Sequence, residues 1–282
     1  MAGAGFNVAT TGDGRGLAAL REAVERVTAA QIGGESRTGA GDGGQMPGAA
    51  GGRGVRLGWP AIDAALGGLM PGVVHEWIGA GWNGPEGAGA PRRGAWSAPL
   101  GVLVHVARRA WRGCGRRGIV VWVGRACWPT GWALEAGDKG GVLDSSVMVD
   151  AGCVGERVWA VDVALRSAGV SVVVADGSGL GMAESRRWQL AAGSGGCVVL
   201  AARPPWEVRA LSAARTRWLV EPAAPSDGER SPCWSVELLR CKGVQPVPEG
   251  ARRMVVRRDD ATGDVGVVQP VGDRLLAATG AA

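Results

Sequence analysis

Three short, almost uninterrupted apolar runs rich in β-branched residues constrain this chain more than any other feature: GIVVWVG (118–124), SVVVAD (171–176) and GCVVLAA (196–202). Each is too short to cross a bilayer and lacks the polar alternation of a half-exposed strand. Runs of this kind read as strands buried on both faces, which is the condition of a parallel sheet covered by helices. The segments between them supply those helices. APLGVLVHVARRAW puts Leu100, Leu103, Val104, Ala107 and Trp111 on one helical face. VGERVWAVDVALRSAG does the same with Val154, Val158, Val161, Leu165 and Ala168, with Gly169 as its stop, and MAESRRWQLAAG is a third helix. VVHEWIG (73–79) and SSVMVDA (145–151) add two further strands.

After residue 215 the pattern changes. TRWLVEP, CWSVELLRC, ARRMVVRR and DVGVVQP are successive strands without long helices, the last two joined by the turn DDATGD. Strand–helix alternation followed by strands alone gives an α/β fold: a mixed, mostly parallel sheet flanked by helices, with antiparallel C-terminal strands. The chain divides into an N-terminal amphipathic helix within 1–32, a flexible Gly-rich linker at 33–54, a core domain at 55–270 and a C-terminal tail at 271–282. In the first of these, Leu17, Leu20, Val24 and Val27 recur at helical spacing. A helix tethered by a linker packs on its own domain or docks on a partner.

Composition removes several function classes. No apolar run reaches ~18 residues and the first residues lack a basic, apolar leader, so a soluble, cytoplasmic protein without membrane contact is expected. The six cysteines contain no C-x-x-C pair and only His75 and His105 are histidine, which leaves no pattern for a zinc ribbon or a histidine-based metal site. The formal charge of +5 is carried almost wholly by arginine, only Lys139 and Lys242 being lysine. Together with abundant glycine this reflects biased composition as much as a polyanionic partner. Arg108, Arg109, Arg112, Arg116 and Arg117, Arg186–Arg187, Arg252–Arg253 and Arg257–Arg258 fall on different elements. They read as solvated faces, against a weak, salt-sensitive DNA contact. The thirteen tryptophans are scattered and read as core or rim aromatics.

In a sheet of this class, ligands sit beyond the carboxyl ends of the strands. Two places there carry chemistry. The loop AGWNGPEGAGAPRRGAWSAPL follows VVHEWIG and precedes a helix, where a phosphate-cradling loop would lie. Gly79, Gly81, Gly84 and Gly94 are its candidate phosphate-lining positions. G-x-x-x-x-G-K-[ST] is absent: with Gly94 as the last glycine, Ala95 stands in place of the lysine and Trp96 in place of the hydroxyl residue. Asp176, ending VVVAD, is the second place. A carboxylate there either holds the shell of a magnesium ion or caps a turn.

The order of these segments resembles the RecA superfamily. VRLGWPAIDAALGGLMPGVVHEWIG looks like the opening of a RecA core, with Gly58, Ile62, Asp63, Leu66, Gly67, Gly68, Pro71, Gly72 and Glu76 carrying the match. GERVWAVDVALRSAGVSVVVADGSGL resembles the helix and strand that bring the Walker-B aspartate. ESRRWQLAAGSGGCVVLAARPP and WSVELLRCKGVQPVP…MVVRRDDATGDVGV are similar to the ImuA branch, RecA-related accessory proteins of bacterial damage-induced mutagenesis. The resemblance spans about residues 55–270. It implies a RecA-like P-loop NTPase-type core whose P-loop is degenerate. Where RecA has a water-activating glutamate after its second core strand, this chain has Arg125, Ala126 and Cys127. Loss of lysine, hydroxyl and general base points to a non-catalytic accessory or scaffold protein of SOS translesion synthesis and DNA repair, without cofactor or metal. Its implied partners are an ImuB-like Y-family-related protein, an error-prone replicative-type DNA polymerase and RecA, with Leu17, Leu20, Val24 and Val27 as docking positions. Two alternatives stand beside it. One is a nucleotide-dependent DNA-repair ATPase using ATP and magnesium through Asp176 and the loop glycines. The other is a SulA-like division inhibitor or similar interaction module on the same core.

Overall fold

A computed structural model describes residues 7–10, 22, 25, 54–79, 96–113, 118–136, 141–224, 231–243 and 247–270. Strand β1 (Asn7–Thr10) lies near the N-terminus, in a stretch read above only as helix and lead-in, and Glu22 and Glu25 are helical and exposed. The core begins with α1 (Pro60–Leu66). Pro60 opens it, the Asp63 carboxylate accepts hydrogen bonds from Leu57 N and Gly58 N at 2.8 Å each, and Gly67, at φ 68°, ends it. Proline at the start and left-handed glycine at the stop are what such a short helix needs.

The alternating part follows as β2 (Val73–Ile78), α2 (Leu100–Gly113), β3 (Ile119–Val123), the short helices α3 (Gly131–Glu135) and α4 (Gly141–Asp144), and β4 (Ser146–Asp150). It continues with α5 (Val154–Leu165), β5 (Val170–Asp176), α6 (Met182–Gly195) and β6 (Val198–Arg203). Then come β7 (Thr216–Ala223), β8 (Cys233–Cys241), α7 (Glu249–Arg252), β9 (Arg253–Arg258) and β10 (Val265–Pro270). Helix α5 stops at Leu165, short of Gly169, because a turn with Val170 N bonded to Ser167 O is needed to bring the chain into β5.

All ten strands form one sheet in the order β1-β4-β3-β5-β6-β2-β7-β8-β9-β10. Pairings from β1 through β7 are parallel, and β7 through β10 are antiparallel. The expected mixed sheet with antiparallel C-terminal strands is the fold observed.

Successive residues of each buried strand face opposite cores. On one face Trp77 and Trp218, opposite one another in β2 and β7, stack with centroids 5.1 Å apart, and Trp59 packs edge-on against both. Trp59 Nε1 donates to Val265 O at 2.8 Å, so the segment before α1 is tied to β10. The other face buries Val121, Val173 and Val199 beneath α5 and α6, with Trp188 of α6 packed into the same core. Trp59, Trp77, Trp122, Trp188 and Trp218 are fully enclosed, which places these tryptophans in the core.

One arginine departs from the solvated reading. Arg108 is fully buried, donating from Nη2 to Ala133 O at 2.9 Å and from Nη1 to Thr262 O at 3.4 Å, with Asp264 Oδ1 3.7 Å from Nη1. A guanidinium can satisfy several carbonyls at once, so it joins α3 to the β9–β10 turn where an aliphatic side chain could not.

Candidate functional site at the carboxyl edge of the sheet

The parallel strands deliver Gly79, Gly124, Asp150, Asp176 and Arg203 to one edge. Gly79 N donates to Arg203 O at 2.9 Å, and a Cβ at position 79 would strike Ser97 O and lie 3.3 Å from Pro99 Cδ. The end of β2 is therefore held directly against the segment entering α2. Gly81, Gly84 and Gly94 lie outside the described residues, as do Leu17, Leu20, Val24 and Val27.

Asp176 is 8% exposed. Its Oδ1 accepts from Ser178 N at 2.9 Å, the turn-capping geometry of an aspartate two residues before the donor. Its Oδ2 is 3.7 Å from Arg157 Nε. Arg157, on α5, also donates to Gly152 O at 3.1 Å and Ser178 O at 2.8 Å, so it joins the ends of β4 and β5. Gly124, at φ 84°, lets the end of β3 close onto this pair: a Cβ there would meet Asp176 Cβ at 2.9 Å and Arg157 Cδ at 3.0 Å. Beside it Cys127 is buried. Burial first, and the charge of Asp176 second, push its thiol well above the usual range, so it stays protonated and unreactive.

The position expected to hold a water-activating carboxylate instead presents Arg125, which grips Asp150 with two hydrogen bonds, Nε to Oδ1 at 2.9 Å and Nη2 to Oδ2 at 2.5 Å. Further along the edge Glu76 is buried in β2. Its Oε1 accepts from Arg203 Nη1 at 3.0 Å and Ser212 Oγ at 2.7 Å, and its Oε2 accepts from Arg217 Nε at 2.8 Å. Arg203 is also bonded to Glu207 Oε2 and Leu180 O, and Arg217 to Val208 O and Ala210 O. Together these bonds fix the β6–β7 connection to the sheet.

Asp150, Asp176 and Glu76 are thus each engaged by arginine. A magnesium shell needs carboxylate oxygens facing open space, and here the cation beside each is a guanidinium. Among the described residues no group of three His, Cys, Asp or Glu side chains is arranged to hold a metal ion. The carboxylates described at this edge are therefore arranged as partners of guanidiniums rather than as a magnesium shell. The structure brings Gly79 and Asp176 to the same edge without joining them through a shared contact.

Arg157, Arg203 and Arg217 escaped the sequence reading as members of this edge. A signal existed for two of them: Glu76 inside VVHEWI is a charge in a buried strand, which requires buried cations as partners. Nothing in the local sequence of α5 marks Arg157.

No protein-family model matches the chain. The solved structure of the RadB recombinase superimposes with a TM-score of 0.52 at 13% identity, covering 76% of this chain and all of that one, a likeness of fold. Protein ImuA of Caulobacter vibrioides, in strains NA1000 / CB15N and ATCC 19089 / CIP 103742 / CB 15, is 32% identical over 208 residues. That match takes in 68% of this chain and 80% of the Caulobacter protein, and with identity of that depth laid over a recombinase-type fold, the chain belongs to the ImuA family.

Proposed function

We propose that the chain is a non-catalytic, RecA-like accessory protein of damage-induced translesion synthesis that works by holding protein partners. The observation that carries this reading is the Asp176–Arg157 pair. The aspartate that would serve a magnesium ion in a RecA-type ATPase caps its own turn and faces a buried guanidinium. Arg125 on Asp150 supports the same reading, since it fills the place where a general base would be sought. Membership of the ImuA family supports a role in damage-induced mutagenesis. The partners this implies are an ImuB-like Y-family-related protein, an error-prone replicative-type polymerase and RecA.

Isothermal titration of the full chain with Mg·ATP tests the non-catalytic part, with Asp176→Asn as control. No heat of binding is expected up to millimolar nucleotide in either protein. Micromolar binding that disappears in Asp176→Asn would overturn it. Complementation of a strain lacking its own ImuA tests the biological part, damage-induced mutation frequency being restored by the wild type and by Asp176→Asn alike.

A further inference from the structure

We propose that the face shared by α6 and the β6–β7 connection docks an acidic segment of a partner protein through an apolar anchor. The inference rests on the scaffold reading and gives it a surface.

Among the described residues, Met182, Leu190, Trp206 and Leu211 are half of the large apolar side chains left substantially exposed, and all four lie on α6 or residues 204–214. Met182, Arg186 and Leu190 follow one another at i, i+4 and are all exposed, which makes a stripe along one side of the helix. The connection is fastened beside that helix. Ser185 Oγ and Ser212 Oγ are 3.2 Å apart, Ala213 N donates to Ser185 Oγ at 3.0 Å, and Gly179 N donates to Glu207 Oε1 at 2.8 Å. Leu211 is 73% exposed on a loop whose flanking residues are already fixed, so little ordering cost remains when a partner covers it.

The surroundings are cationic. Arg186 and Arg209 are exposed. Lys242 Nζ lies 3.2 Å from Ser212 O and 3.0 Å from Ala213 O, and Arg240 Nη2 lies 3.2 Å from Ser212 O, which sets both side chains next to Leu211. The carboxylates nearby are committed elsewhere: Glu76 and Glu207 to arginines, Glu184 to Gly181 N. Burial, and then the charges of neighbouring arginines, lower the affinity of Arg240 and Lys242 for their protons, a crowding that an arriving carboxylate relieves.

This charge selects the occupant. A second copy would set two positive faces against each other. Single-stranded nucleic acid stacks its bases on planar side chains, and here the aromatic Trp206, 39% exposed, is outweighed by the aliphatic Leu211, Leu190 and Met182, each more exposed than it. A polypeptide segment with Asp or Glu around a large apolar residue complements both the charge and the anchor.

Fluorescence anisotropy with the full chain tests it, using a labelled short peptide of two leucines flanked by Asp and Glu, its leucine-to-alanine counterpart, and labelled oligo(dT). The leucine peptide is expected to bind at low salt. Leu211→Asp should weaken it by roughly tenfold or more, and Arg209→Glu should weaken it and flatten its salt dependence. Both positions are exposed, and an unchanged thermal midpoint shows that the variants fold. No binding of the leucine peptide, equal binding of the alanine peptide, indifference to Leu211→Asp, or oligo(dT) binding lost in Leu211→Asp would each overturn the proposal. Its failure is separable from that of the scaffold reading. Peptide binding through Leu211 by a chain that also hydrolyses ATP keeps the surface and sinks the scaffold. A chain silent towards both ATP and peptide keeps the scaffold and sinks the surface.

Discussion

Arg157 Nε stands 3.7 Å from Asp176 Oδ2, with both residues buried, so α5 supplies the counter-charge to the aspartate at the end of β5. Removing one member leaves the other charged in a site with little water. Arg157→Met should cost about 3 kcal/mol of unfolding free energy. Asp176→Asn keeps the acceptor for Ser178 N and strands only the guanidinium, so it should cost less. The double variant should fall short of the sum of the two losses by about 1–2 kcal/mol, read from urea midpoints. Strict additivity would show that the two groups do not act on each other.

Gly124 gives a steric test of the same edge. Its φ of 84° already disfavours a side chain, and a Cβ would press on Asp176 Cβ and Arg157 Cδ. Gly67, at φ 68° and ψ 11°, sits in the left-handed helical region with nothing within 4 Å of a Cβ, so Gly67→Ala should cost only about 1 kcal/mol. Gly124, at ψ 134°, lies outside that region, and Gly124→Ala should exceed it by about 1–3 kcal/mol through backbone strain and overpacking together. Equal losses in thermal or urea unfolding would mean that the strands splay freely at this edge.

Much of the fold is legible in the sequence, because burial writes itself into strands as continuous apolar runs and into helices as 3.6-residue periodicity. VVVAD and VVLAA became β5 and β6 almost to the residue. Asn7–Thr10 was not legible: NVAT has no pattern of its own, and its strand exists by pairing with Val147–Asp150 in β4. The site divides along the same line. Asp176 could be found because it ends a buried strand, whereas Arg157 reaches it from a helix whose sequence shows only an arginine like many others. Arg108 misled for a related reason. Its charge reads as surface, yet the carbonyls of Ala133 and Thr262 make its burial tolerable, and neither adjoins it in sequence.

Glu76 should be the costliest single charge to neutralise. Glu76→Gln retains an acceptor but removes the carboxylate shared by two buried guanidiniums, Arg203 and Arg217, with Glu207 on the Arg203 side the counter-ion that remains. A loss of about 3–5 kcal/mol is expected. Because Ser212 Oγ donates to the same carboxylate, the β6–β7 connection should loosen with it, and amide exchange at Ala213 and Ala214 should quicken by at least about tenfold beyond that of β3. Uniform acceleration across the sheet would indicate global destabilisation alone.

His75 makes the chain acid-sensitive in a defined window. It is fully buried, with Nε2–H donating to Met70 O at 3.0 Å and Nδ1 accepting from the Thr216 hydroxyl at 2.7 Å, which in turn accepts from Trp218 Nε1. This arrangement needs the neutral ring. Burial lowers its pKa from 6.5 to about 4; the bond to Met70 O works the other way, and the charge of Arg215 adds to the lowering. Because the folded value lies below the unfolded one, the unfolded chain binds more protons between them. The contribution is complete above pH 6.5 and is lost as pH falls towards 4. A shift of that size corresponds to about 3 kcal/mol. Unfolding free energy measured from pH 7 to pH 4 should therefore decline more steeply in the wild type than in His75→Gln, which starts lower through lost packing but has no imidazole to titrate. The difference between the two curves isolates this residue from the carboxylates common to both, and parallel curves would show that His75 titrates alike in the folded and unfolded chain.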